Sequence, residues 1–323
     1  MSKKISLYIA ATPWNFLNSF VFASQRENEE SYLMYVDFPL RQENLYLQAL
    51  DAMGEDSPFI QHWCFHGKFK GVWQKLKQRR NELQQLRSIV AELQPDQVFV
   101  GSDRRIEFQC AMTEAVLHKS DAKGIYLDEG LFSYQGRKQS LTWSDRVLDS
   151  WLKNLIYPVV WKHPITIGAS AWISEGWLLQ PEKACPLLRE KIPLMAIDLD
   201  WYHTPVLQLL AKQLLSAEEF VQLQQPFDVL IILPHPSLMN EQITKQVNVQ
   251  IQDCLQKGRS FRVKRHPRDE QFEPDWVELP KQLPLELMIP MLHFSQLVAA
   301  ESTATLTMQL LKPELELKYL ESL

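Results

Sequence analysis

The sequence predicts an α/β protein made of two successive parallel-sheet units with a ligand cleft between them. Short apolar runs alternate with longer stretches of helical periodicity, the pattern of repeated strand–helix–strand units. That alternation lapses between about residues 150 and 225 and then resumes. A chain of 323 residues is also long enough for two such domains of ordinary size.

In the first half the strand-like runs are Ile5–Ala11, Tyr32–Val36, Gln97–Gly101 and Gly124–Leu127. The opening MSKKISLYIAATPWNF has a charged start and a short apolar run, but that run alternates with polar residues and a helical pattern follows. It reads as a buried first strand rather than a signal peptide. A helix is predicted from about Phe69 to Leu93, because Val72, Leu76, Leu83, Leu86, Val90 and Leu93 recur at three- and four-residue spacing; Pro95 ends it.

The second half repeats the scheme. Its predicted elements are a strand at Asp228–Leu233, a helix from about Asn240 to Lys257 closed by Gly258, and a strand at Ser260–Lys264. A short strand around Trp276–Leu279, a helix near Leu285–Leu292 and a strand at Gln296–Ala300 follow. The expected division is an N-terminal Rossmann-like domain over 1–160, a connecting region over 161–225 without clean period, and a C-terminal Rossmann-like domain over 226–323.

Composition narrows the function classes. Hydrophobic residues at 46% and charged residues at 23% fit a globular chain and not an extended disordered one. A formal net charge of −5 argues against a general nucleic-acid binder, which needs a basic surplus. The four cysteines (Cys64, Cys110, Cys185, Cys254) lie far apart with no CxxC pair, as expected of a reduced, cytoplasmic protein. No segment reaches the roughly 18 apolar residues of a membrane span; the best candidate, Trp151 to Trp161, is broken by Lys153 and Pro158.

Three strand ends carry candidate chemistry. In Phe261-Arg-Val-Lys264-Arg265-His266-Pro267-Arg268 an alternating strand ends in a run of cations at the carboxyl edge of a parallel sheet, where such sheets bind ligands. Lys264, Arg265, His266 and Arg268 form a local positive field suited to a phosphate, or else a solvated basic turn. The HP dipeptide alone has little weight, since His163-Pro164 and His235-Pro236 repeat it. At Glu301-Ser302-Thr303-Ala304 an apolar strand meets a helix start, so the hydroxyls either cap that helix or, with its free N–H groups, hold an anion. At Leu127-Asp128-Glu129-Gly130 two adjacent carboxylates point to opposite sides of a strand; one is expected to face the cleft as a general base and the other to make structural contacts.

In this order the three motifs resemble the D/E-D/E-G, HP and S/T motifs of the bacterial sialyltransferase and polysialyltransferase superfamily, whose fold is GT-B. Leu7-Tyr8-Ile9-Ala10-Ala11-Thr12-Pro13 with Asn18 in the following helix resembles the start of its lipooligosaccharide sialyltransferases. Pro284-Leu285-Glu286-Leu287 resembles its segment before the last nucleotide-binding strand. The resemblance implies a CMP-nonulosonate-dependent glycosyltransferase acting on a surface-glycan acceptor, lipid-linked or free, with no metal and no cofactor. Glu129 would be the base and Asp128 its structural neighbour. His266 would assist phosphate departure, and Lys264, Pro267, Glu286, Ser302 and Thr303 would bind the donor. Thr12 and Asn18 would touch the acceptor. A non-catalytic nucleotide- or glycan-binding module of a capsule assembly complex, or a GT-B transferase using another nucleotide sugar, are the alternatives.

Other signals are weaker. Asp198-Leu199-Asp200 matches the metal-binding DxD pattern of a different transferase fold, and His62-Trp-Cys64-Phe-His66 lacks further ligands at useful spacing. No GxGxxG or P-loop is present. The basic helix near residues 68–80, with Lys68, Lys70, Lys75, Lys77, Arg79 and Arg80, is either a solvated face or a surface for an anionic membrane or glycan.

Overall fold

A computed structural model describes residues 3–36, 44–66, 72–136, 151, 153–154, 156–157, 159–266, 269, 276–281 and 283–320, without the side chains of 72–75 and 303. The chain divides into two compact units, Met1–Trp201 and Tyr202–Leu323. Each is an α/β unit on a wholly parallel sheet, so the predicted α/β class and its GT-B form are observed.

In the first unit seven strands lie in the order β3-β2-β1-β4-β5-β6-β7. They are β1 (Lys4–Ala10), β2 (Glu29–Val36), β3 (Gln61–Phe65), β4 (Gln97–Val100), β5 (Lys123–Leu127), β6 (Ile173–Leu178) and β7 (Leu194–Ala196). Strand β1 is almost wholly buried, as a central strand covered on both faces must be. The helices are α1 (Pro13–Ser24), α2 (Leu45–Met53), α3 (Val72–Leu93), α4 (Ile106–His118) and α5 (Leu131–Gln135). Thr12 caps α1, its Oγ1 accepting from the Asn15 N–H at 3.1 Å, and Pro13 opens the helix where its missing N–H costs nothing. Of the predicted stripe on α3, Leu83, Leu86 and Val90 are at most 1% exposed, each contributing about 1.5–3 kcal/mol by leaving water, Leu76 and Leu93 are half-buried, and the Val72 side chain lies outside the described residues.

The chain order reverses between β1 and β4, one neighbour running on to β2 and the other to β5. Crevices outside the carboxyl ends of strands at such a reversal are where open α/β sheets bind ligands. The segments leaving β1, β4 and β5 therefore define where this unit can work: Ala11-Thr12, Gly101-Ser102-Asp103 and Asp128-Glu129-Gly130.

The second sheet has the order β11-β10-β8-β9, from β8 (Val229–Ile232), β9 (Phe261–Lys264), β10 (Gln296–Ala299) and β11 (Glu316–Tyr319). The helix Glu241–Gln256 packs through Ile243, Val247, Ile251 and Cys254, a three-and-four spacing set on Val229, Ile231 and Val263. Its reversal falls between β8 and β10, which places Pro234-His235 and Ala300-Glu301-Ser302 at the corresponding edge.

Several expected elements take another form. Trp276–Leu279 is not a strand: Glu278 makes only an isolated bridge to Val263. The helix at Leu285 is one α turn, Leu285–Met288, continued as a 3-10 turn to Met291 because Pro290 lacks the N–H an α-helix would use there. The stretch without clean period is shared out: β6 and β7 complete the first sheet, whereas the helices Pro205–Leu214 and Ala217–Gln224 belong to the second unit. Strands β3, β6, β7 and β11 lacked a continuous apolar run, since their residues are only partly buried at or near sheet edges. Among the described residues no helix is long and apolar enough to cross a membrane.

Candidate functional site

The two carboxylates at the end of β5 part as the pleat requires. Asp128 is fully buried and structural. Its Oδ1 accepts the Gly130 N–H at 2.7 Å and the Ser133 hydroxyl at 3.3 Å; its Oδ2 accepts the Leu179 N–H at 3.0 Å and the Tyr134 hydroxyl. Burial raises its pKa from the usual carboxylate range, and these four donors oppose that rise. Gly130, at φ 75°, supplies the left-handed backbone for the turn into α5.

Glu129 lies on the other side and is only partly buried. Asn15 donates to its Oε2 at 2.6 Å. Burial pushes the Glu129 pKa up to about 7, against the lowering effects of the Asn15 bond and the Arg105 charge. A carboxylate poised there exchanges protons at neutral pH, which is what a general base requires. Asn18 is wholly buried and donates to the Asp128 carbonyl at 2.9 Å, so it fixes the strand end. Thr12, expected with Asn18 to touch an acceptor, is the α1 cap.

Gly101, leaving β4, makes the Asn15–Glu129 contact possible. A Cβ there would collide with Asn15 Nδ2 and Glu129 Oε2. Gly101→Ala is expected to separate the pair and, on the proposal below, to lower turnover on the order of tenfold or more. The check is steady-state kinetics beside circular dichroism, which should show the fold retained.

Around Glu129 lies a cavity of about 400 Å³ lined also by Ser102, Arg104, Arg105, Glu107 and Lys153. Asp103 anchors the loop that carries the two arginines: it is fully buried and accepts the Gly168 and Ser170 N–H groups at 2.9 and 2.7 Å. Sequence reasoning passed over Asn15, Arg104 and Arg105. Polar residues after a strand were their only signal, and it is not selective.

In the second unit the predicted cation run is mostly turned inward. Lys264 is 5% exposed; its Nζ donates to the Pro280 and Lys281 carbonyls, each at 2.9 Å, and burial lowers its pKa to about 7. Arg265 is 2% exposed and paired with Glu278 and Asp269 at 2.7 and 3.0 Å. Neither presents a free charge to a donor phosphate, which corrects the local positive field read from the sequence. Pro267 and Arg268 lie outside the described residues. Glu286 is buried, its pKa raised by that burial and drawn down by the Lys264 charge.

His266 keeps its place at the strand end and meets the ring of His235, edge to face, at 4.6 Å between centroids. His235, at the end of neighbouring β8, figured in the sequence only as a repeat of the HP dipeptide; pairing of β8 with β9 brings the two imidazoles together. On the other side of β8, Ser302 caps the helix Thr303–Leu311: its Oγ accepts the Thr305 N–H at 3.2 Å and shares a bond with the Thr305 hydroxyl at 2.9 Å. The capping reading is therefore observed. Thr303 holds the first helical position, and its side chain lies outside the described residues.

The weaker signals resolve into ordinary structure. Asp198 accepts the Asp200 N–H at 3.0 Å, an Asx turn opening a short 3-10 helix. His62 faces Asp51 at 3.4 Å. On α3 Arg79 pairs with Glu107 at 2.6 Å, and Arg80 donates to the Ile156 carbonyl at 2.9 Å. These two bonds turn part of the supposed membrane-docking face toward the protein; Lys68 and Lys70 and the Lys75 side chain lie outside the described residues.

No protein-family model matches the chain, and no curated protein matches it. Solved structures do. A UDP-GlcNAc 2-epimerase from Methanocaldococcus jannaschii superposes with a TM-score of 0.51 at 12% identity, over 98% of this chain and 83% of that one. MnaA from S. aureus, solved with UDP, gives 0.50 at 11% identity over 99% and 80%. The spinosyn forosaminyltransferase SpnP gives 0.50 at 12% identity over 96% and 78%. At such identities the likeness defines a class by fold, GT-B, and goes no further.

It does correct the family read from the motifs. The similar structures are UDP-GlcNAc 2-epimerases and a forosaminyltransferase, not sialyltransferases, so membership of the sialyltransferase superfamily, a CMP-nonulosonate-dependent activity and a CMP donor are not supported. The physical reason is that the motifs are short and architectural. An acidic pair before a glycine turn, a proline-stopped strand and a hydroxyl helix cap suit parallel-sheet edges generally.

Proposed function

We propose that the chain is a GT-B enzyme of nucleotide-sugar chemistry, a glycosyltransferase whose donor is a nucleoside-diphosphate sugar, with a UDP-sugar the first to test. The observation that carries the reading is Glu129. It stands at the end of β5, next to the reversal between β1 and β4, held by Asn15, with its pKa raised to about 7 and with a cavity before it. The similar folds, among them a UDP-GlcNAc 2-epimerase and MnaA solved with UDP, support the donor class by analogy.

The residues have distinct parts. Glu129 takes the proton of a sugar hydroxyl as its oxygen attacks the anomeric carbon; the bond from that carbon to the diphosphate oxygen breaks, and the nucleotide leaves. Charge on the departing phosphate needs stabilisation. Within the second unit, His266 and His235 at the strand ends and the N-terminus of the helix Thr303–Leu311 are the groups suited to a phosphate.

Calorimetric titration with UDP, GDP and CMP tests the donor class. UDP is expected to bind ahead of CMP, and His266→Ala to weaken it about tenfold, the loss of one charge-assisted hydrogen bond. CMP ahead of UDP, or an unaffected variant, would remove the assignment. With a UDP-sugar and acceptor glycans, UDP release indicates transfer; inversion at a sugar carbon with UDP retained would place the activity with epimerisation instead.

A further inference from the structure

The ring of His235 is held by its own turn. The residue follows Pro234 beyond the carboxyl end of β8 and is the N-cap of the 3-10 turn Pro236–Leu238. Its Nδ1 accepts the Ser237 N–H at 3.1 Å and lies 2.7 Å from the Ser237 hydroxyl. A ring nitrogen whose lone pair accepts an N–H carries no proton of its own, so the neutral imidazole is the tautomer protonated on Nε2. The turn engages Nδ1 and leaves Nε2–H as a donor at the far end of the ring.

That donor is both available and aimed. His235 is half-buried, and among the described residues no acceptor meets its Nε2. The His266 ring packs against it edge to face at 4.6 Å, a second contact that fixes the plane of the imidazole. Strand β8 lies between β10 and β9, so His235 stands in the middle of the carboxyl edge, where parallel sheets bind ligands. A donor fixed before binding loses little entropy on meeting its partner. The tautomer also selects that partner. Ligation of a metal through Nε2 would need the proton on Nδ1, where the Ser237 N–H already points. An oxygen acceptor, such as a phosphoryl oxygen, takes the Nε2–H as it stands.

We propose that His235 is a phosphate-binding residue of fixed tautomer: its Nε2–H donates to a phosphoryl oxygen of the nucleotide while Nδ1 stays on the Ser237 N–H. The proposal rests on the nucleotide-donor reading above and adds the atom that makes the contact and the turn that aims it.

Two substitutions separate the two nitrogens. Asparagine is a good N-cap whose side-chain oxygen can take the Ser237 N–H, but it has no group in the place of Nε2. Glutamine brings an amide N–H near that place and loses the cap. The test is calorimetry on the full chain with UDP and with inorganic pyrophosphate, the bare anion. His235→Gln is expected to rescue binding of both to within about threefold of the parent, whereas His235→Asn and His235→Ala lose about tenfold. If the ring were only a turn cap, Asn would match the parent and Gln would not. That order overturns the proposal, as does equal binding by the parent and all three variants.

Nitrogen NMR of the imidazoles needs no variant. His235 is expected to carry its proton on Nε2, with the signal of that nitrogen displaced by either ligand; a proton on Nδ1 in the unliganded chain overturns the proposal even where a variant fails to fold. Pyrophosphate binding in the Gln-over-Asn order without any UDP binding removes the UDP reading and keeps this one. UDP binding alike to every variant removes this inference alone, and absence of binding by both ligands removes the two together.

Discussion

Glu129→Gln is expected to reduce turnover by about 10²–10⁴-fold while nucleotide affinity stays within about twofold. The amide keeps the shape and can still meet Asn15, but it cannot take a proton. In the parent, the rate should rise with pH through a limb near 7, because only the ionised carboxylate acts as base and its pKa is raised to about 7 by burial. The variant should lose that limb with its activity.

The same shift makes a stability prediction that needs no substrate. An acid whose folded pKa lies above its unfolded value is easier to ionise in the unfolded chain, so the group costs stability as pH rises from about 4.5 through 7. Relative to the parent, Glu129→Gln should gain on the order of 2 kcal/mol above pH 8, with little or no gain at pH 4. Thermal melts at the two pH values check it. An equal effect at both would show that the carboxylate is not held at a raised pKa, whatever the kinetics say.

Asp128→Ala is expected to have the larger effect on folding, a loss of about 3–5 kcal/mol. The substitution strips partners from the N–H groups of Gly130 and Leu179 and the hydroxyl of Tyr134, and takes one partner from Ser133. Ser133 still meets the Tyr126 hydroxyl at 2.8 Å and accepts the Glu129 N–H at 3.0 Å, so part of the network survives. Asp128→Asn keeps acceptor capacity on one oxygen only and should fall between. Denaturant unfolding measures both. A melting point for Asp128→Ala equal to that of the parent would make this network dispensable and reopen Asp128 as the base.

The adjacent carboxylates show how far pattern reading reaches. That one would be structural and the other available follows from the strand's period of two. Which was which depended on Asn15 and Gly101, 114 and 28 positions from Glu129, meeting it across β1, β4 and β5. The second unit taught the opposite lesson. Lys264 and Arg265 looked available beside His266, yet the turn after β9 folds their charges onto carbonyls and carboxylates from residues 269–281. The likeness to sialyltransferases failed for a related reason: short motifs report what a strand end needs in order to turn, and such needs are shared across unrelated chemistries.

Periodicity, helix stops and the alternation of strand and helix established the α/β class, the central strands and their carboxyl ends, because those features arise from interactions within a few residues. Edge strands, the sharing of residues 161–225 between the two units, the pairing of His235 with His266 and the arginine-lined cavity were settled by contacts between distant segments. Burial and charge pairing are properties of a neighbourhood. They decide whether a lysine is a ligand or a tether, and a glutamate a solvated acid or a base.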